Sequence, residues 1–381
     1  MTQNARMPIT PSVVTWARVR AGFSIEEIEK KFKKISDWEA GTSSPTYPQL
    51  EELAEKFKVP TAVFFFPTPP DVPRIEETFR TLSQEDLGNI PPNIRLLLRK
   101  ARSMQISLSE INDGVNPAKK VVTKDLDFSA VSSVEEMSIN LRRYFNIPIE
   151  TQLSWQSPKV ALDNWRKTLF DHGIFVFKDA FRDSNFCGFC LYDEEFPVIY
   201  LNNSVSKTRQ IFTVFHEIAH LLFRTSGVDL MDDEYINHLS DANKNIEVTC
   251  NHFSGCFLVP NDVFDQQIAT LQASRESAES LSNLFCVSRE VIYRKFLDRG
   301  RISQEEYGRA AREWRSQVKN KGAGTGNYFN TQMSYLGDSY IGMVLKKYHQ
   351  NRFDINQLAE YMNMKPKFVS EIEERYIRKV K

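Results

Sequence analysis

Residues 211–223 read IFTVFHEIAHLLF. Phe212, Phe215, Ile218, Ala219, Leu221, Leu222 and Phe223 make a helix of this run apolar on nearly every side, so it is predicted to be buried. Into that apolar surface the sequence sets His216, Glu217 and His220. Residues i and i+4 of a helix share a face, so His216 and His220 can hold one metal ion together. Glu217 is rotated about 100° from His216, which puts its carboxylate beside the metal rather than on it. From there it can take a proton from water and hand it to a leaving amine. Burying two imidazoles and a carboxylate without partners costs several kcal/mol, and a metal ion removes that cost.

A metal held this way needs at least one more protein ligand. The downstream candidates are Asp229, Asp232, Asp233, Glu234, His238, Glu247 and His252. The acidic run 229–234 reads as a solvated loop. Glu247 is better placed, because it opens a helix over IEVTCNHFSGCFLVP (246–260). The apolar stripe of that helix is Ile246, Cys250, Phe253 and Phe257. Beside it run Glu247, Asn251, Ser254 and Gly255, small or polar enough to let the two helices come close. His238 and His252 are the fallback ligands. Three protein ligands leave a fourth position open, the arrangement of a catalytic Zn2+ rather than a structural one. Tyr235, His238 and His252 are candidates for stabilising the oxyanion of a transition state.

The chain of 381 residues is long enough for two or three domains. Its 49 Lys+Arg balance 49 Asp+Glu, which argues against a grip on nucleic acid or anionic membrane by the chain as a whole. No apolar run is long enough to span a membrane, and the first twenty residues carry no apolar signal-peptide core. Five cysteines, an odd and sparse number, suit a reducing cytoplasm. Strand character is confined to GIFVFKDA (173–180), FCGFCLYD (186–193) and FPVIYLN (196–202). The expected fold class is therefore α+β and mostly helical. A small antiparallel sheet packs on the HExxH helix, flanked by helical modules of helix-turn-helix type. FPVIYLN is expected at the sheet edge, where a peptide could be added as a further strand. The expected divisions are 1–70, a helical module; 71–150, a helical connector; 151–275, the metal-bearing domain; 276–320, a helix-turn-helix-like module; and 321–381, a glycine-bearing linker with a last helical module.

GIFVFKDA, CGFCLYDEEFPVIYLNN (187–203), the R-x-x-F-T-x-x-H-E-x-x-H run from Arg209 to His220, and E-x-x-C-N-x-F-x-x-x-F-L-V-P from Glu247 to Pro260 together resemble the ImmA/IrrE family of zinc metallo-endopeptidases. The resemblance covers about 160–260 and implies zinc held by His216, His220 and Glu247, with Glu217 as general base. It also implies cleavage of XRE-type repressors, so a protein substrate or partner, a repressor or a co-encoded protein, is expected. The alternative is an antitoxin-like or regulatory protein that holds a partner on the same fold with little or no proteolysis.

Residues 8–70 are similar to an XRE-type region. From Ile28 to Trp38 there are only ten residues, about one helical turn short of that pattern, and the missing turn belongs to the segment that reads base edges. Protein contact or a homodimer is the better expectation for this module. Between 281 and 321, ten Lys and Arg face five acids, the best candidate for a DNA surface. A helix-turn-helix pattern recurs at 281–296 and 358–372. Cys187 and Cys190 form a CxxC with no second pair, in a run expected to be a strand, and read as ordinary strand residues.

Overall fold

The computed structural model describes residues 6–72, 90–128, 133–231, 239–318 and 327–380, and it resolves into two compact units, Met1–Arg102 and Ser103–Lys381. The first unit begins with α1 (Pro11–Ala21), α2 (Ile25–Glu29), α3 (Ile35–Ala40) and α4 (Tyr47–Phe57), followed by a 3-10 turn at Thr61–Phe65. Ser24 and Glu27 cap α2 reciprocally: the Ser24 hydroxyl accepts from Glu27 N–H, and the Glu27 carboxylate accepts from Ser24 N–H. Trp38, Leu50, Leu53, Phe57 and Phe64 close its core over Val13, Val14 and Ile28. The short interval between Ile28 and Trp38 leaves α2 five residues and α3 six. A bidentate pair from Arg18 to Glu39 joins α1 to α3.

The division between units falls in α5 (Pro92–Ile111), and α6 (Val134–Phe145), α7 (Ile149–Leu153) and α8 (Pro158–Asp171) follow. The sheet comes next. Its strands are β1 (Phe175–Asp179), β2 (Phe186–Leu191), β3 (Val198–Asn202) and β4 (Val228–Leu230), in the order β1-β3-β2-β4. β2 runs antiparallel to β3 and β4, whereas β1 lies parallel to β3, with Phe177 opposite Tyr200. The sheet is thus mixed and not purely antiparallel, and FPVIYLN supplies an interior strand rather than an edge. The β2–β3 hairpin is local: Asp193 Oδ1 accepts from the N–H groups of Glu195 and Phe196 and sets the turn. The parallel partner of β3 is chosen only when the chain returns past β2, and alternation within a strand carries no trace of that choice. β4 has no signature in the sequence, because three residues centred on an acid show no period.

Helix α9 (Lys207–Leu222) lies on the sheet, and α10 (Asp241–Leu258) packs on α9 with α6 behind it. A Cβ on Gly188 would come within 2.5 Å of Thr213 and 2.8 Å of the Tyr200 carbonyl, so glycine lets α9 sit close to β2. The core between helices is aromatic: Trp165 meets Phe215 edge-on at 4.9 Å, and Phe215 stacks on Phe257 at 4.2 Å.

The chain continues through α11 (Asn261–Ile268), α12 (Arg275–Phe285), α13 (Arg289–Asp298) and α14 (Gln304–Val318). The last elements are α15 (Tyr328–Leu336), α16 (Asp338–His349), α17 (Ile355–Tyr361) and α18 (Val369–Val380). Residues 281–296 do form helix, turn and helix. Several basic groups of the 281–321 run are engaged within the fold: Arg294 pairs with Asp298, Arg299 with Asp265, Arg289 stacks over Trp314, and Arg301 binds the Ile268 and Leu271 carbonyls. Most of the glycine-bearing linker, 319–326, lies outside the described residues. The five cysteines are free, and among the described residues no helix is long and apolar enough to cross a membrane.

Candidate metal centre

α9 is buried along its whole second half, as its sequence requires, and His216, Glu217 and His220 are all 1% exposed or less. α10 supplies Glu247, itself fully buried. The two helices bring three ligands to one point. The Nε2 atoms of His216 and His220 are 3.1 Å apart, and Glu247 reaches each from a different oxygen at 3.3 Å. These ligand atoms lie within 4.8 Å of one another, a group that can hold a metal ion.

The far sides of the two rings are fixed. His216 Nδ1 lies 3.0 Å from Asn251 Oδ1, and His220 Nδ1 lies 3.3 Å from the Thr225 hydroxyl. Thr225 donates its own proton to the His220 carbonyl, so it accepts from the ring. Both Nδ1 atoms therefore carry hydrogen, and both Nε2 atoms face the cluster, as metal ligation requires. Asn251 follows Glu247 by one helical turn, so a single face of α10 provides both a ligand and the orienter of another. The turn after α9 completes the enclosure. A Cβ on Gly227 would stand 2.5 Å from the His220 ring, and Gly227 N–H donates to Cys190 Sγ at 3.3 Å.

Glu217 sits beside the group and not in it. Among the described residues no nitrogen or oxygen donor engages either carboxylate oxygen, and the Cys190 thiol is a polar neighbour close enough to act on it. Burial pushes the Glu217 carboxyl up to about 7, against the pull of His220 and His216. Glu247 moves the other way: burial opposes its charge, but the two histidines outweigh burial and hold it well below the usual carboxylate range. Burial likewise disfavours the His216 cation, yet contact with Glu247 raises it to about 10. Without metal, the histidines thus keep protons against Glu247, and a divalent cation would replace those protons with its own charge.

Asp229 is the acidic residue of the 229–234 run that the structure describes, and it is a strut, not a ligand. It lies buried on β4, accepting from Thr213 at 2.6 Å and from Arg209 at 2.7 Å. Asp232, Asp233, Glu234, Tyr235 and His238 fall outside the described residues. His252 is exposed on α10 and is not among the grouped ligands. Cys190 is buried against Glu217 and the Gly227 turn, a closer neighbour of the centre than its place in a strand suggested.

The arrangement suits an oxygen- and nitrogen-binding divalent metal: two neutral imidazoles, one carboxylate, and a second carboxyl poised near neutrality alongside. Comparison with known proteins agrees. Radiation response metalloprotease IrrE of Deinococcus deserti is 35% identical over 80 residues, 19% of this chain and 26% of that protein, so the likeness spans about a quarter of the relative. Residues 171–297, which hold the sheet, α9, α10 and all four site residues, match the IrrE N-terminal-like domain of a peptidase family, and the chain carries a domain of that family.

Proposed function

We propose that this chain is a zinc-dependent endopeptidase of the cytoplasm that acts on a regulatory protein, such as a repressor of XRE type. The observation that carries the reading is the convergence of His216, His220 and Glu247, all buried, with Glu217 next to them and free of strong hydrogen bonds. A zinc ion held by those three supplies a Lewis acid and makes water a better nucleophile. The protein's own contribution is proton handling and order. Glu217, raised by burial from the ordinary carboxylate range, takes a proton from water on one carboxylate oxygen and returns it to the departing amine nitrogen. Asn251 and Thr225 hold the two rings in the tautomer that binds metal. Arg209, Thr213 and Asp229 lock β4 to α9 next to them. With β3 interior, we assign the added substrate strand to β4, the edge that lies on the ligand helix.

The test is Glu217→Gln. The variant is expected to bind one zinc per chain as the parent does, and to lose at least a hundredfold in cleavage of its repressor. The full chain is incubated with a candidate repressor of XRE type, with zinc content measured in parallel. Equal cleavage by the variant removes Glu217 from the reaction. Zinc binding and tight partner binding without cleavage in the parent would replace the peptidase with a protein that holds its partner.

A further inference from the structure

Away from the metal centre, the unit Ser103–Lys381 contains a cavity of about 610 Å³ walled by α8, β1, α15 and α16, with Lys207 at the start of α9. Its lining is basic. Lys379 is neutralised by Asp338 at 2.5 Å and Lys167 by Asp171 at 2.5 Å. That leaves Lys159, Arg166, Lys178 and Lys207 against Asp163.

Lys178, Arg166 and Lys207 are held without an acid in contact among the described residues. Lys178 is 4% exposed and lines the cavity, and its ammonium has no hydrogen bond or ion pair with any described residue. Arg166 gives its protons to carbonyls alone, those of Val176, Ser334 and Tyr335, at 2.8 to 3.2 Å. Gly337 allows this, since a Cβ there would stand 2.7 Å from Arg166 Nη2. Lys207 reaches only Asn203 Oδ1 at 3.2 Å. An unpartnered ammonium inside a protein is costly, and several cations facing one half-open pocket concentrate positive potential there. Burial, with Arg166 and Lys207 nearby, lowers Lys178 to about 6. An anion in the cavity would restore its charge.

We propose that this cavity binds a small phosphorylated metabolite of nucleotide size, its phosphate seated on Lys178 and Lys207 in the field of Arg166 and Lys159. The multiple cations call for a multiply charged anion, and Lys and Arg are the usual partners of phosphate. The volume is that of a small-molecule site and exceeds what a bare phosphate fills.

Calorimetric titration of the full chain tests the assignment, with adenosine monophosphate and ribose 5-phosphate as probes and adenosine as the uncharged control. Adenosine monophosphate is expected to bind one per chain, ribose 5-phosphate at the same site, and adenosine not at all. Lys178→Met is expected to weaken adenosine monophosphate about tenfold or more, with an unfolding midpoint equal to or above the parent's. If that variant does not fold, Lys159→Met on the exposed rim gives the same reading with a several-fold loss. Absence of binding by either phosphate at millimolar concentration overturns the proposal. So does adenosine binding as tightly as its phosphate, or parental affinity in a folded Lys178→Met.

Discussion

Glu217 and Glu247 are the same side chain on neighbouring buried helices, and their surroundings give them opposite work. Glu217 is raised by burial to about 7 and can exchange protons, while Glu247 is held ionised by two imidazoles and can only bind a cation. The sign of the resulting pH dependence follows. His216 is raised from 6.5 to about 10, so in the metal-free protein its contribution is complete below pH 6.5 and lost as pH rises toward 10. Glu247 is lowered from 4.5, so its contribution is complete above that pH and lost in acid. Urea unfolding of the metal-free chain at pH 6.5, 8 and 9.5 is expected to show a falling midpoint, and saturating zinc should flatten the fall. A midpoint that rises with pH would place no proton between these groups. The four central residues are legible in the sequence because helical spacing is a local property: His216 and His220 differ by four positions, and Glu247 lies on a polar strip of the next long helix. Gly227 and Thr225 were not legible as parts of the site. Their roles depend on the chain turning back under His220, which no spacing encodes.

Elements set the precision of this centre. α9 can stand close to β2 because Gly188 has no side chain, and the same approach puts Thr213 within reach of Asp229 on β4. Gly188→Ala must displace both the Thr213 methyl and the Tyr200 carbonyl of β3, which is expected to cost about 1–3 kcal/mol of stability. Urea melts of parent and variant measure it, and a loss below 0.5 kcal/mol would mean that helix and sheet are free to part. The helices and the β2–β3 hairpin could be read from periodicity and turn residues: Ser24 with Glu27, the glycine after α1, and Asp193 between the strands. The parallel alignment of β1 on β3 could not. Expecting an antiparallel sheet throughout put FPVIYLN at an edge, and the crossover that makes it interior is a property of the path and not of the strand.

At the scale of the molecule, a metal held by His216, His220 and Glu247 would link chemistry to stability. A ligand present at a hundred times its dissociation constant adds about 2.7 kcal/mol to the state that binds it. Zinc in that excess is expected to stabilise the unit Ser103–Lys381 by this amount, read from paired denaturation curves with and without chelator, and an unmoved curve would mean that the three ligands do not act together. The path of the chain has a consequence in time. β1 is an edge strand, complete at Asp179, and α15, which packs on it, begins only at Tyr328. At ribosomal speeds of about 5–20 residues per second, the strand waits roughly 8–30 s for that partner. Through this interval an apolar edge, Phe175-Val176-Phe177, stands without its cover, an invitation to pair with a neighbouring nascent chain. Lys178 and Asp179, the charges that follow it, are the residues of the strand that resist such pairing before the C-terminal helices arrive.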